Sequence, residues 1–273
     1  MSDTDPIQPI HEPALAVIDE EAAWVHDAAD RFEHATAQEL LAWALDTFHP
    51  RLAISAAGGV DGMALVDMAW RIDPAIRVFT LNTGRLPAET YALFEEVRDT
   101  YGIQVEFECP DGDAVASFET QNGPNAMYRS VDLRIRCCTL RKVEPLKRKL
   151  STLDAWVTGL RREQWVSRRN IAKVELDREH GGIVKLNPLA DWTLDQVWAY
   201  VRENGVPYHD LFDRGFTSIG CAPCTRPVEP GEPERAGRWW WEEDTEKECG
   251  IHCSVHLLGS RSDRDKAQTG GAR

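Results

Sequence analysis

The sequence predicts an α/β fold with a Rossmann-like, doubly wound, mostly parallel sheet and a mobile C-terminal arm. Three observations carry that reading. Short apolar runs at Arg51–Ser55, Arg77–Leu81 and Gln104–Glu108 alternate with helical patterns, the signature of strand–helix–strand units. The first two runs end in glycine-containing turns, Ala57-Gly58-Gly59-Val60-Asp61-Gly62 and Asn82-Thr83-Gly84-Arg85. The character then changes beyond Gly220, where proline, glycine, glutamate and arginine dominate around Trp239-Trp240-Trp241.

Each element follows in order. Residues 1–12 are polar and acidic and read as disordered. Residues 13–48 read as two helices, with apolar and alanine positions at helical spacing. Helices follow the first strand to about Trp70 and the second over Glu89–Tyr101. A further helix runs from about Cys138 to Leu150. Ala155–Thr158 and Ile183–Leu186 are strands, and Thr193 caps a helix reaching Asn204, which ends at Gly205. An α/β domain over 13–225, a flexible arm over 226–258 and a disordered tail over 259–273 complete the division.

The 273 residues are 42% hydrophobic, enough for a packed core. No apolar run is long enough to span a bilayer, and the N-terminus has no signal-peptide pattern, so the cytoplasm is expected. A net charge of −14 argues against nucleic acid as a partner. Yet residues 134–149 and 161–169 hold 11 of the 31 Lys and Arg, a cluster suited to a small anion.

Two glycine turns at adjacent strand ends would flank one crevice, where open α/β sheets bind ligands. The first lacks the Lys-Ser/Thr ending of a phosphate-binding P-loop and the spacing of a dinucleotide fingerprint. The seven cysteines include Cys137-Cys138 and Cys221-Ala222-Pro223-Cys224. Four thiolates can hold zinc or an iron–sulfur cluster. The adjacent pair disfavours zinc, since neighbouring side chains diverge by about 100° at a helix start. Prolines 227, 230 and 233 disfavour a thioredoxin-like reading of the second pair. Cys249 lies between Lys247 and His252, cations that lower a thiol's pKa and favour its nucleophilic form. Cys109 reads as a buried apolar filler.

These segments together resemble the iron–sulfur branch of the phosphoadenylyl-sulfate reductase family, the assimilatory adenylyl-sulfate reductases. The residues that carry the likeness are Asn82–Arg85, Cys137–Leu146, Trp156–Arg162, Asn187–Trp192, Ser218–Pro227, Arg235–Glu242 and Lys247–His252. The resemblance implies an adenine nucleotide alpha hydrolase-like fold. It also implies reduction of adenosine 5′-phosphosulfate to sulfite and AMP, in which Cys249 attacks sulfur and forms an S-sulfocysteine. Thioredoxin or glutaredoxin would supply the electrons. Cys137, Cys138, Cys221 and Cys224 would hold a 4Fe–4S cluster, with Lys142 between cluster and substrate. Arg238 and His252 would bind the phosphosulfate, assisted by Arg161 and Arg162. The nucleotide would lie over Gly58, Gly59, Leu81, Gly84 and Arg85. A homo-oligomer is suggested and no membrane partner is expected.

Two departures stand out. Gly62 replaces the serine of the family's Asp-Ser pair, which puts one hydroxyl contact in question, and Cys253 is not part of the motif. Three rivals are the same chemistry on 3′-phosphoadenosine 5′-phosphosulfate, an adenylylating ATP pyrophosphatase and a non-catalytic iron–sulfur protein. The cysteine pairs argue against the first, and the altered loop with the Cys249 arm against the second.

Overall fold

The computed structural model describes residues 14–242 and Ile251, the first nine of them by backbone alone. Two helices, α1 (Ala14–Phe32) and α2 (Ala37–Phe48), precede the sheet. Then come β1 (Leu52–Ser55), α3 (Val60–Ile72), β2 (Val78–Leu81), α4 (Ala88–Tyr101), β3 (Glu106–Glu108) and α5 (Gly112–Asn122). The cysteine pair closes α6 (Val131–Cys138). A π-helical turn, Thr139–Val143, joins it to α7 (Glu144–Leu150). The chain continues through β4 (Ala155–Val157), β5 (Val174–Asp177), β6 (Ile183–Leu186) and α8 (Leu194–Asn204).

Among the described residues six strands lie in the order β3-β2-β1-β4-β6-β5, all parallel except β5, which runs antiparallel to β6 at the edge. Strand side chains alternate between faces, and the core divides accordingly. Leu52, Ile54, Val78, Ala155 and Val157 face the larger cluster with α2, α3, α4 and α8. Ala53, Phe79 and Trp156 face the other way, against Leu146, Leu150 and Leu153. This two-sided burial makes the sheet doubly wound.

The cap expected at Thr193 is present, and the structure adds one at Thr36. Thr36 and Thr193 each cap their helix in a reciprocal box with the glutamate or glutamine three residues on. Four expectations need correction. The cysteine pair ends a helix rather than starting one, and the 138–150 helix is broken by the π turn. β5 and α5 were not expected. β5 is a half-buried edge strand without a clean apolar alternation, and α5 buries only Phe118. Cys109 is exposed, because it lies just past the edge strand β3, beyond the paired residues. Finally, the arm read as lying outside the core is packed on the body over 226–242, with Trp239 only 1% exposed. No helix among the described residues is long and apolar enough to cross a membrane.

Candidate active site

The direction in which strands are added reverses between the parallel neighbours β1 and β4: from β1 they progress outward through β2 and β3, and from β4 the other way. A cavity opens at the carboxyl ends of these strands, where such a switch point leaves a crevice. Its walls come from the turn after β1 (Ser55–Ala57, Gly59–Gly62), the ends of β2 and β4, and the 217–221 segment.

Gly159, after β4, permits the close approach of these loops. A Cβ there would lie 2.9 Å from Asp61 Cβ and 3.0 Å from Gly62 N. Gly62 itself has room, since a Cβ would make only ordinary contacts from 3.6 Å outward. Asp61 is held by Arg161 Nε (2.5 Å) and Gln164 Nε2 (3.1 Å). The remaining Arg161 nitrogens go to Glu163 and to Glu234 (3.1 Å). Arg161 is thus wholly buried among three carboxylates. Burial pushes the Asp61 and Glu234 carboxyls above their ordinary values, with Arg161 opposing the shift. Arg168 donates to Gln164 Oε1 (2.6 Å) and lines the cavity.

A second, smaller cavity adjoins the first. Cys137, Cys138, Cys221 and Cys224 all line it, with Met127, Trp239, Arg85, Arg134, Arg141 and Lys142 around them. Adding a residue to a helical turn re-aims the side chains beyond it. Here the π turn carries Arg141 and Lys142 immediately after the cysteine pair. Arg141 donates to Thr83 O and to Glu119, both at 2.6 Å. Thr83 Oγ1 lies 3.2 Å from Cys221 Sγ. Arg85 O accepts the Ala222 N–H (2.8 Å), and Trp239 N–H donates to Cys224 O (3.2 Å), so three distant segments converge. Arg134, in the cavity's lining, forms a bidentate pair with Glu242, each side chain 4% exposed.

The four sulfurs sit in unequal fields. Burial raises the Cys137 thiol, and pushes Cys224 up to about 11 with help from Cys221. Burial acts the same way on Cys221, but Lys142, Thr83, Arg238 and Arg141 together outweigh it and lower this thiol. Among the described residues no group of three His, Cys, Asp or Glu side chains forms a single-ion site. The four thiols instead surround a shared space.

Lys142 and Cys221 line both cavities. Of the other expected substrate contacts, Gly59, Leu81 and Arg238 line the larger one. Arg238 is buried over the Trp239 ring, with Nη1 on Ile219 O (3.1 Å), and its Nε has no partner among the described residues. Gly58, Gly84, Arg85, Arg161 and Arg162 are not among the residues lining the larger cavity, although Arg85 lines the cysteine cavity. Gly84 sits against Arg141, and Arg85 is held by Pro124 O (2.5 Å) and Asn125 (2.8 Å). Arg162 reaches outward to Glu33 (2.7 Å) and Ile171 O (2.9 Å). Cys249 and His252 lie outside the described residues. Ile251, between them in sequence, lines the larger cavity and packs on the Phe79 and Trp156 cluster. Gln164, Thr217 and Arg235 also line it without having been singled out as site residues. Arg235 could have been found from its place in the Arg235–Glu242 segment.

Residues 51–227 match the phosphoadenosine phosphosulfate reductase domain. The chain is 48% identical to the adenosine 5′-phosphosulfate reductase of Burkholderia cepacia, over 76% of this chain and 82% of the other. It is 42% identical to the Pseudomonas aeruginosa (strain LESB58) protein of the same name, over 90% and 88%. Among solved structures, it is similar to phosphoadenylyl-sulfate reductase from Candida auris, in a phosphate complex. That likeness has a TM-score of 0.64 at 30% identity and covers 75% of this chain and 96% of the other.

Proposed function

The chain belongs to the phosphoadenosine phosphosulfate reductase family, and from that membership we propose that it reduces adenosine 5′-phosphosulfate to sulfite and AMP in sulfate assimilation. The observation that carries the site assignment is the shared wall: Lys142 and Cys221 belong to both the switch-point cavity and the cysteine cavity. The nucleotide occupies the first, over the Gly59 and Leu81 backbones. The phosphosulfate lies toward Lys142 and Arg238, whose cationic groups stabilise charge on the departing phosphate.

Cys249 supplies the thiolate. Its sulfur bonds to the sulfate sulfur as the bond to the AMP phosphate oxygen breaks, leaving an S-sulfocysteine. A thioredoxin-type thiolate then attacks Cys249 Sγ and releases sulfite. The second thiol of that donor resolves the mixed disulfide, so both electrons come from the dithiol. Two features support Cys249 in this role: the Lys247 and His252 cations near it in sequence, and the placement of Ile251 in the cavity wall.

Cys137, Cys138, Cys221 and Cys224 are the residues that would hold a 4Fe–4S cluster, since four thiols around one space suit a multi-atom group better than a single ion. When bound, the cluster would supply a structural anchor and an electrostatic neighbour. Lys142 and Arg141, close to the thiols, would offset the negative charge of four thiolates and hold the adjoining cavity wall in place.

The test is anaerobic incubation with radiosulfur-labelled adenosine 5′-phosphosulfate, without thioredoxin. Label should appear on Cys249, be released as sulfite by thioredoxin, and vanish in Cys249→Ser. Turnover that survives Cys249→Ser would sink this mechanism, while labelling only by the 3′-phosphorylated nucleotide would change the substrate.

A further inference from the structure

His209 is completely buried and belongs to none of the groups above. Its Nδ1 accepts the Leu211 N–H (3.2 Å), capping the 210–214 turn that brings Phe212 to the cavity wall. With Nδ1 an acceptor, the proton of the neutral ring sits on Nε2, which donates to Thr90 Oγ1 on α4 (2.9 Å). The ring edge meets the first glycine turn: a Cβ on Gly58 would lie 3.2 Å from His209 Cδ2. Gly58 has φ +83°, a conformation that suits glycine. Its neighbours Ala57 and Gly59 line the cavity while Gly58 does not. One imidazole therefore ties together the glycine turn, α4 and the Phe212 turn.

We propose that His209 is a positioning residue for the nucleotide, seating the Ala57–Gly59 backbone and Phe212 wall only as its neutral Nε2–H tautomer. The proposal rests on the reading that this cavity receives the adenosine sulfonucleotide. Protonation would set a second N–H against the Leu211 N–H and destroy the cap. Burial keeps the ring below its ordinary value of 6.5. Glu89 and Asp210 pull the other way, and Arg214 sides with burial. The seat is therefore intact at neutral pH and is lost only as pH falls below the ordinary histidine value.

Two variants dissect the contacts. His209→Asn keeps an acceptor near Nδ1 and removes the donor to Thr90. His209→Gln keeps a donor near Nε2 and removes the cap. AMP binding by calorimetry and steady-state kinetics would be followed between about pH 5.5 and 8, with melting temperature alongside. Each variant should weaken AMP and raise KM by about fivefold to tenfold, with kcat within about twofold. Neither titrates, so both should lose the acid-side weakening expected of the wild type. A lower melting temperature with unchanged AMP affinity, or an acid limb that persists in both variants, would overturn the proposal. Wild-type protein that bound no AMP at any pH would overturn the nucleotide reading beneath it.

Discussion

The glycine-turn end of the larger cavity and its cysteine end hold their charges in different ways. At the first, Arg161 is fully buried and pinned by Asp61, Glu163 and Glu234. The cation there is already satisfied and shapes backbone. At the second, Lys142, Arg141 and Arg238 surround thiols whose pKa values burial and these cations drive apart. One end is a finished ion-pair network. The other has a field complementary to negative charge, where a thiolate cluster and a phosphosulfate would meet. Basic residues close in sequence therefore serve opposite purposes, and exposure alone does not separate them.

The comparison breaks first at the cysteine end. Cys221→Ser should remove bound iron and its visible absorption and lower turnover by about 100-fold, and anaerobic chelation of the wild type should do the same. Full iron content in Cys221→Ser would show that Cys221 does not hold the iron, and anaerobically purified wild type without iron would make the cysteine end an ordinary thiol cluster.

Next in size is Arg161→Met. It leaves the Asp61 and Glu234 carboxyls without their cation and should cost about 3–5 kcal/mol, read by urea unfolding. The pH dependence has a definite sign. Burial holds Asp61 and Glu234 above their ordinary values of 3.8 and 4.5 in the folded chain. The folded state therefore binds these protons more tightly than the unfolded chain. Their contribution to stability is greatest in acid and is lost as pH rises through the folded values. Removing Arg161 raises those values further, so the deficit should grow as pH rises. A large rise in KM with unchanged stability would instead make Arg161 a substrate ligand.

Gly159→Ala tests the close approach of β4 to the Asp61 turn. Its Cβ would come within 2.9 Å of Asp61 Cβ and 3.0 Å of Gly62 N, so the turn must shift, and a loss of about 1–3 kcal/mol is expected, measured in the same unfolding experiment. The smallest effect belongs to Cys109→Ser. This exposed thiol touches neither cavity, and stability should change by less than about 0.5 kcal/mol.

The cysteine pairs and the glycine turns were legible because each is a short run whose chemistry needs neighbouring residues. Strands β1, β2, β4 and β6 were legible for the same reason, since fully buried strands read as apolar runs. β5 was not, because its burial comes from pairing with β6 and from contact with α1 rather than from its own pattern. The exposure of Cys109 was equally hidden, since it depends on β3 being the edge strand.

By itself, then, the chain's sequence determined an α/β alternation, a set of four thiols, a cationic centre and the family to which they belong. These are properties of residue type and short-range spacing, and they survive without knowing what touches what. Only the tertiary structure decided which cations face the cavity and which are consumed by carboxylates. It also buried Trp239 against the cysteines and set His209 beneath Gly58, 151 positions earlier in the chain. The physical reason is that burial and ion pairing arise between segments far apart in sequence, and a guanidinium has the same formula whether it meets three carboxylates or none.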